Sequence, residues 1–197
     1  MPTKEQNYHH GALRSALLEA ALATVERDGV EALSFRQLAR IANVSPGAPY
    51  HHFRDKNELL AMLARRGFEA LETELERACS AGSDPVNCIH QLVEAYLRFA
   101  RSSPKLYALL FIPEVTRPES LDVVEPQAMA CLRRLQAALA VMDPVAEPPV
   151  LRERALTLWG LLHGLVSLLD IGPLTRSLSS VVDTELAARS AMKLALA

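Results

Sequence analysis

Strand signals are scarce in this sequence. Nowhere do apolar and polar residues alternate with period two, and only one Trp, four Tyr and five Phe occur among 197 residues. With Ala and Leu abundant, that pattern argues against a β-rich fold and predicts helices. A membrane span is missing as well. The longest stretch without a formal charge, Ala155 to Leu169, is shorter than the roughly 20 residues a spanning helix needs, and it contains Thr157, His163 and Ser167. Cysteine is sparse: Cys79, Cys88 and Cys131 have no metal-ligand spacing, and an odd count without a signal peptide predicts reduced thiols in the cytoplasm. Also missing are a Gly-rich phosphate loop, an HExxH and a GxSxG pattern, while His90 and His163 stand far apart. No catalytic residue, metal site or cofactor is therefore expected.

Charge of either sign is nearly balanced, with 21 Lys/Arg against 23 Asp/Glu and a net charge of −2. Its distribution says more than its sum. Residues 1–66 hold nine Lys/Arg, seven Asp/Glu and four His, whereas residues 67–197 hold twelve Lys/Arg and sixteen Asp/Glu. The small basic excess at the N-terminal end predicts weak, salt-sensitive attraction to a polyanion. Half the residues are apolar, which at this length suits a globular protein with one sizeable core or two smaller ones.

What is present is concentrated between Leu33 and Leu60, LSFRQLARIANVSPGAPYHHFRDKNELL. Ser34 with Gln37 has the form of a capping box, flanked by Leu33 and Leu38 as a hydrophobic staple, so a helix is expected to open there. Asn43, Val44 and Ser45 break its period. Ser45 followed by Pro46 has the form of an N-cap and first-turn proline for a second, very short helix. Asp55 with Glu58 repeats the capping logic for a third, staffed by Leu59, Leu60 and Leu63. Three helix starts in so short a stretch are what a helix-turn-helix DNA reader uses.

Residues 10 to 60 resemble the DNA-binding domain of the TetR family of bacterial transcriptional regulators. Phe35, Arg36, Leu38, Ala39, Val44, Ser45, Tyr50, Phe53, Lys56 and Leu59 stand at the places of that family's motif. The resemblance implies that Arg36 and the first turn of the recognition helix, Ser45, Pro46, Gly47 and Ala48, face base edges. It also implies that Tyr50, His52 and Lys56 hold phosphates, with His51 beside them among the DNA-binding residues. Hydroxyl, imidazole and ammonium groups all donate to phosphate oxygens, and Arg is the usual bidentate reader of guanine. One departure stands out: Pro49 replaces the family's usual Leu, Ile or Val. It removes a backbone donor and pushes Ala48 away from the α region, so a distorted first turn is expected.

Upstream, a polar segment to Tyr8 is expected to precede a helix from about Gly11. Leu13, Leu17, Ala20 and Ala21 share one face of it, and Gly29 is its stop. His9 and His10 read equally well as backbone contacts to DNA or as a surface pair. Downstream, the helix opened by Asp55 continues to about Ser80. Further helices are expected from Pro85 (Ile89, Leu92, Val93, Tyr96, Phe99), from Ser103–Pro104 to before Pro113, and from Gln127 (Leu132, Leu135, Leu139, Met142), with Pro118 to Pro126 ambiguous. The expected division is a DNA-binding domain at 1–55, a connecting helix at about 56–80, and a C-terminal helical domain for ligand binding and dimerisation at 81–197.

The helix from Leu151 to about Asp170 is apolar nearly all round, so a second side of it must be covered. An identical subunit is the simplest cover, through residues about 151–171 and a last helix at 183–197, and many members of the family resemble this. Trp159, His163 and Gly164 resemble the Trp-His-Gly signature of one C-terminal subgroup. Two readings stay open for them: the wall of a ligand pocket with His163 as its polar group, or ordinary core and interface packing. The same pair of readings applies to Tyr96, Phe99, Tyr107, Phe111 and Met129. Together these observations predict an all-α, homodimeric regulator of double-stranded DNA with a near-palindromic operator, no membrane contact and a small-molecule effector of hydrophobic character. A repressor released by that effector is the leading expectation. A transcriptional activator, a ligand-independent regulator and a helical protein–protein adaptor are the alternatives.

Overall fold

The computed structural model describes residues 4–79, 84–169, 189–190 and 193. Among them run seven α-helices and no strand: α1 (Lys4–Asp28), α2 (Phe35–Ile41), α3 (Lys56–Ala78), α4 (Pro85–Ser102), α5 (Pro104–Leu109), α6 (Pro118–Met142) and α7 (Pro148–Leu169). Two short 3-10 turns lie at Val30–Ala32 and Ala48–His51. The expected all-α class is what forms. Among the described residues no helix is long and apolar enough to cross a membrane.

Short-range chemistry sets most boundaries. Gly29 ends α1 at φ 93°, a backbone state that few residues other than glycine adopt. Ser34 opens α2, its Oγ accepting the Gln37 amide at 3.3 Å. Asp55 and Asp84 cap the next two helices in the same way, accepting the amides of Glu58 at 2.9 Å and Asn87 at 3.0 Å. Prolines stand first in α4, α5, α6 and α7, where the missing N–H has no intrahelical partner to lose.

Three starts depart from expectation. α1 begins at Lys4 rather than about Gly11: no proline stands between Lys4 and Gly11, and a single glycine costs a propagating helix only about 1 kcal/mol. α6 passes through Pro126 instead of starting at Gln127. An internal proline costs roughly 3 kcal/mol, and burial of Val124, Ala130, Leu132 and Leu135 along the same helix is of a size to outweigh it. α7 opens at Pro148, ahead of Leu151. The last expected helix, 183–197, lies outside the described residues except for Arg189, Ser190 and Lys193, which are helical.

The cysteines require a correction. Cys79, just past α3, and Cys88, in the first turns of α4, form a disulfide with Cα atoms 5.0 Å apart, so they are not the reduced thiols expected from the count. Cys131 is buried in α6, and burial pushes its thiol up to about 12.

By contact the chain forms two units. Unit 1 comprises residues 1–68 and 103–126, so residues 103–126, which the sequence reading places in the C-terminal region, cluster with the first 68. Leu17, Leu38, Phe53, Leu59, Leu63 and Leu109 make its core. Gly67 of α3 lies so close to α5 that a Cβ there would meet Leu110 Cδ2 at 2.6 Å. Lys105 Nζ donates to the Arg27 carbonyl at the end of α1, satisfying one of that helix's last acceptors. Unit 2 comprises residues 69–102 and 127–197. There α4 packs against α7, with Ile89, Leu92, Tyr96, Leu135, Leu158 and Leu162 buried. Arg134 of α6 pairs with Glu72 at 3.3 Å and Glu76 at 2.8 Å.

Candidate nucleic-acid interface

The turn after α2 is set by Asn43, whose φ of 54° places it in the left-handed region that asparagine tolerates better than most residues. The Val44 amide then bonds back to the Ala39 carbonyl at 2.9 Å and closes α2. Ser45, Pro46 and Gly47 follow as an exposed turn in which the Ser45 carbonyl, not its hydroxyl, accepts the Ala48 amide at 3.0 Å. Ser45 is therefore not the N-cap expected from its place before Pro46. Gly47 occupies that position, without a side-chain bond.

The recognition element itself is a single 3-10 turn, Ala48–His51. Pro49 is buried inside it, has no N–H to give, and offers its carbonyl to the amides of both His52 and Phe53 at 3.0 Å. The element is thus a 3-10 turn and not an α-helical one, with Ala48 as its first residue. Tyr50 is 63% exposed, and its ring stands edge-on to Phe35 with centroids 4.8 Å apart. Phe35 is in turn tilted against Phe53, at 6.3 Å. The phenol thus stands on the buried Phe35 ring, which Phe53 backs. His51 is exposed and His52 half-buried.

Arg36 and Arg40 project from α2 into an open groove of about 620 Å³ that also borders Gln37, Val44 and Pro46. Arg40 was not singled out in the sequence. Its spacing four residues from Arg36 is the signal that could have found it, since that spacing shares a helix face. Lys56, in the first turn of α3, is exposed and donates from Nζ to the Val30 carbonyl at 3.2 Å, an uncharged partner that leaves its ammonium charge uncompensated. Arg54 is also exposed, with Nε 3.3 Å from Asp55.

Asp55 fixes the start of α3. The Glu58 amide is the main cause that holds its carboxyl below the ordinary aspartate range; desolvation opposes this, and the Arg54 side chain adds to it. A depressed folded-state value contributes stability that is present above the unfolded value, about pH 4, and is lost as pH falls through the folded value. Because the carboxyl is partly solvent-exposed, Asp55→Ala is expected to cost roughly 0.5–1 kcal/mol at neutral pH, with the difference closing below about pH 4. Urea midpoints of both proteins at pH 7 and pH 3 measure it. An equal difference at both pH values would assign the cost to something other than the charged cap.

The seven residues considered for a ligand pocket divide between the units. Tyr107 and Phe111 belong to unit 1, their ring centroids 5.2 Å apart, with Phe68 6.1 Å from Phe111. Tyr96, Phe99, Met129, Trp159 and His163 belong to unit 2, where Tyr96 and Phe99 are buried and the other three half-buried. Burial lowers the His163 imidazole below its ordinary value, so it is neutral at pH 7.

Comparison with known proteins places these features. Residues 17–63 match the family described as bacterial regulatory proteins, tetR family, and residues 89–192 match the tetracyclin repressor-like C-terminal domain. The HTH-type transcriptional regulator BetI of Rhizobium meliloti is 30% identical over 130 residues, covering 65% of this chain and 63% of BetI. The HTH-type transcriptional repressor KstR of Mycolicibacterium smegmatis is 32% identical over 93 residues, 47% of this chain and 46% of KstR. The chain thus spans less than two thirds of either relative. Among solved structures, a Rhodococcus sp. RHA1 protein of unknown function superposes with a TM-score of 0.75 at 31% identity, over 96% of this chain and 97% of that one.

Proposed function

Since the chain belongs to the tetR family of bacterial regulatory proteins, whose members bind operator DNA and dimerise, we propose that it is a homodimeric repressor of a near-palindromic operator, released by a small molecule. DNA binding is assigned to residues 1–55, effector binding and dimerisation to 81–197, and the cytoplasm, where bacterial operators lie, is the place of action. The observation that carries this reading is the exposed set on unit 1: Arg36 and Arg40 beside Pro46, with Tyr50 standing on Phe35.

Arg36 reads a base edge, and the exposed turn Ser45–Gly47 with Ala48 offers small contacts and backbone close to the groove floor. Tyr50, His51, His52 and Lys56 hold phosphates. With no long polar side chain on Pro46, Gly47 or Ala48, shape and deformability of the operator supply part of the specificity.

The dimer is supported by α7. Leu156 and Leu168 are 52% and 45% exposed, and Gly160 and Gly164 lie between them at helical spacing with open space where a Cβ would stand. That stripe of apolar and small residues suits close approach of a second helix. The effector is read as a modest hydrophobic compound against Tyr96, Phe99, Met129 and Trp159, oriented by the neutral His163. By linkage, effector and operator weaken each other's binding by the same factor.

Selection of genomic fragments by the purified protein at near-physiological salt tests the reading. A recovered near-palindrome is expected, with a dimer by light scattering at micromolar concentration. No enriched sequence, with binding that vanishes on adding salt, would remove the operator from the picture, and a monomer would remove the two-fold arrangement.

A further inference from the structure

The Cys79–Cys88 disulfide is not used by anything derived so far. It joins the residue just past α3 to the first turns of α4, closing a stretch only nine residues apart in sequence. Its two sulfurs differ in access. Cys88 is 3% exposed, whereas Cys79 is half-buried and borders a groove of about 160 Å³ with Leu75, Glu76, Leu92, Arg134 and Val141, a groove that Cys88 does not line. A protein that works on bacterial DNA meets the reducing thiol pool, and there a disulfide is usually transient and redox-sensing rather than a permanent staple.

We propose that Cys79–Cys88 is a thiol–disulfide exchange site, opened through Cys79 by a low-molecular-weight thiol, and that the state of the bridge sets operator affinity. The second half rests on the operator reading above. The steps balance within one redox couple. A small thiolate attacks the Cys79 sulfur from the groove, forming a mixed disulfide there, while the S–S bond breaks and Cys88 leaves as a thiolate and takes a proton from solvent. A second small thiolate attacks the small molecule's sulfur in the mixed disulfide. Cys79 leaves as a thiolate, and the two small thiols, oxidised by two electrons, depart as their own disulfide. The reverse sequence closes the bridge with the same pair of reagents. Cys88 is the leaving sulfur because it is buried and does not line the groove from which the small thiolate attacks. Cys131 takes no part: it is buried, and its thiol sits near 12. Opening the bridge removes the covalent tie between α4 and the residue just past the end of α3, the helix whose first turn carries Lys56, and that change in restraint is what couples the bridge to operator affinity.

The experiment uses the full chain. Native protein is equilibrated with mixtures of glutathione and glutathione disulfide, quenched with a maleimide and mapped by mass spectrometry, and operator affinity is measured on the same samples. The expected result is no maleimide under oxidising mixtures and a label on Cys79 under reducing ones, with Cys88, only 3% exposed, read as a free thiol by mass. Cys131 should stay unlabelled, and any glutathione adduct should sit on Cys79. Operator Kd should differ by about fivefold or more between the two forms, and Cys79→Ser should behave as the reduced form in every mixture. A bridge that stays closed until the protein is denatured, an adduct on Cys88, or equal operator affinity in both forms would overturn the proposal. If neither form binds an operator while exchange remains confined to Cys79, the operator reading falls with the regulatory half, and the exchange site stands.

Discussion

Arg36→Ala is expected to weaken binding to the selected operator by about 5- to 150-fold, the 1–3 kcal/mol that one bidentate base contact supplies, and to relax sequence preference at one position of each half-site. The side chain is exposed on α2 and lines the groove beside Pro46, and the residues that follow, Pro46, Gly47 and Ala48, carry no group able to make a bidentate contact in its stead. Lys56→Ala is expected to act differently. It removes a point charge that donates to a neutral carbonyl, so it should weaken binding to all sequences alike and lower the salt slope by about one. Together the two changes should abolish detectable operator binding. Fluorescence anisotropy at three salt concentrations separates the effects, and since both side chains are exposed the variants should melt like the parent. Unchanged sequence preference in Arg36→Ala would move base reading elsewhere, with Arg40 the next residue to test.

Phe53→Ala is expected to cost about 3–5 kcal/mol, a large part of the 5–15 kcal/mol that holds an ordinary domain folded. Its ring is 1% exposed, lies 6.3 Å from Phe35 and has the Arg14 guanidinium 5.2 Å above it. Removing it leaves a cavity under Phe35, which supports Tyr50, so the loss reaches the DNA-facing surface as well as the core. The urea midpoint should fall sharply, and operator binding should fall with it wherever the variant is partly unfolded. A cost below about 1 kcal/mol would mean that the three rings do not form the cluster on which Tyr50 stands.

Much of unit 1 is legible in the sequence because its signals act over a few residues. A serine or aspartate three residues before a free amide, as at Ser34 and Asp55, caps a helix wherever it occurs, and Gly29 stops one. The same local logic failed at Ser45, where the residue type suited an N-cap but the next helical element is a 3-10 turn, Ala48–His51, whose N-cap is Gly47. Pro126 misled in the opposite direction. A proline is a local breaker, yet the buried face of α6 carries the helix through it.

What the sequence determined by itself is the helical class, most helix starts and the kind of residue offered to DNA, because caps, periodicity and side-chain chemistry are local properties. Tertiary structure alone decided three things. It drew residues 103–126 to the first 68, through Lys105 on the end of α1 and the close approach at Gly67. It stood Tyr50 on Phe35, which in turn rests against Phe53. It brought Cys79 and Cys88 within bonding distance, with only one of them open to a groove. Each depends on distances between segments whose relative placement is set by packing, and residue order does not specify such distances until the core has formed.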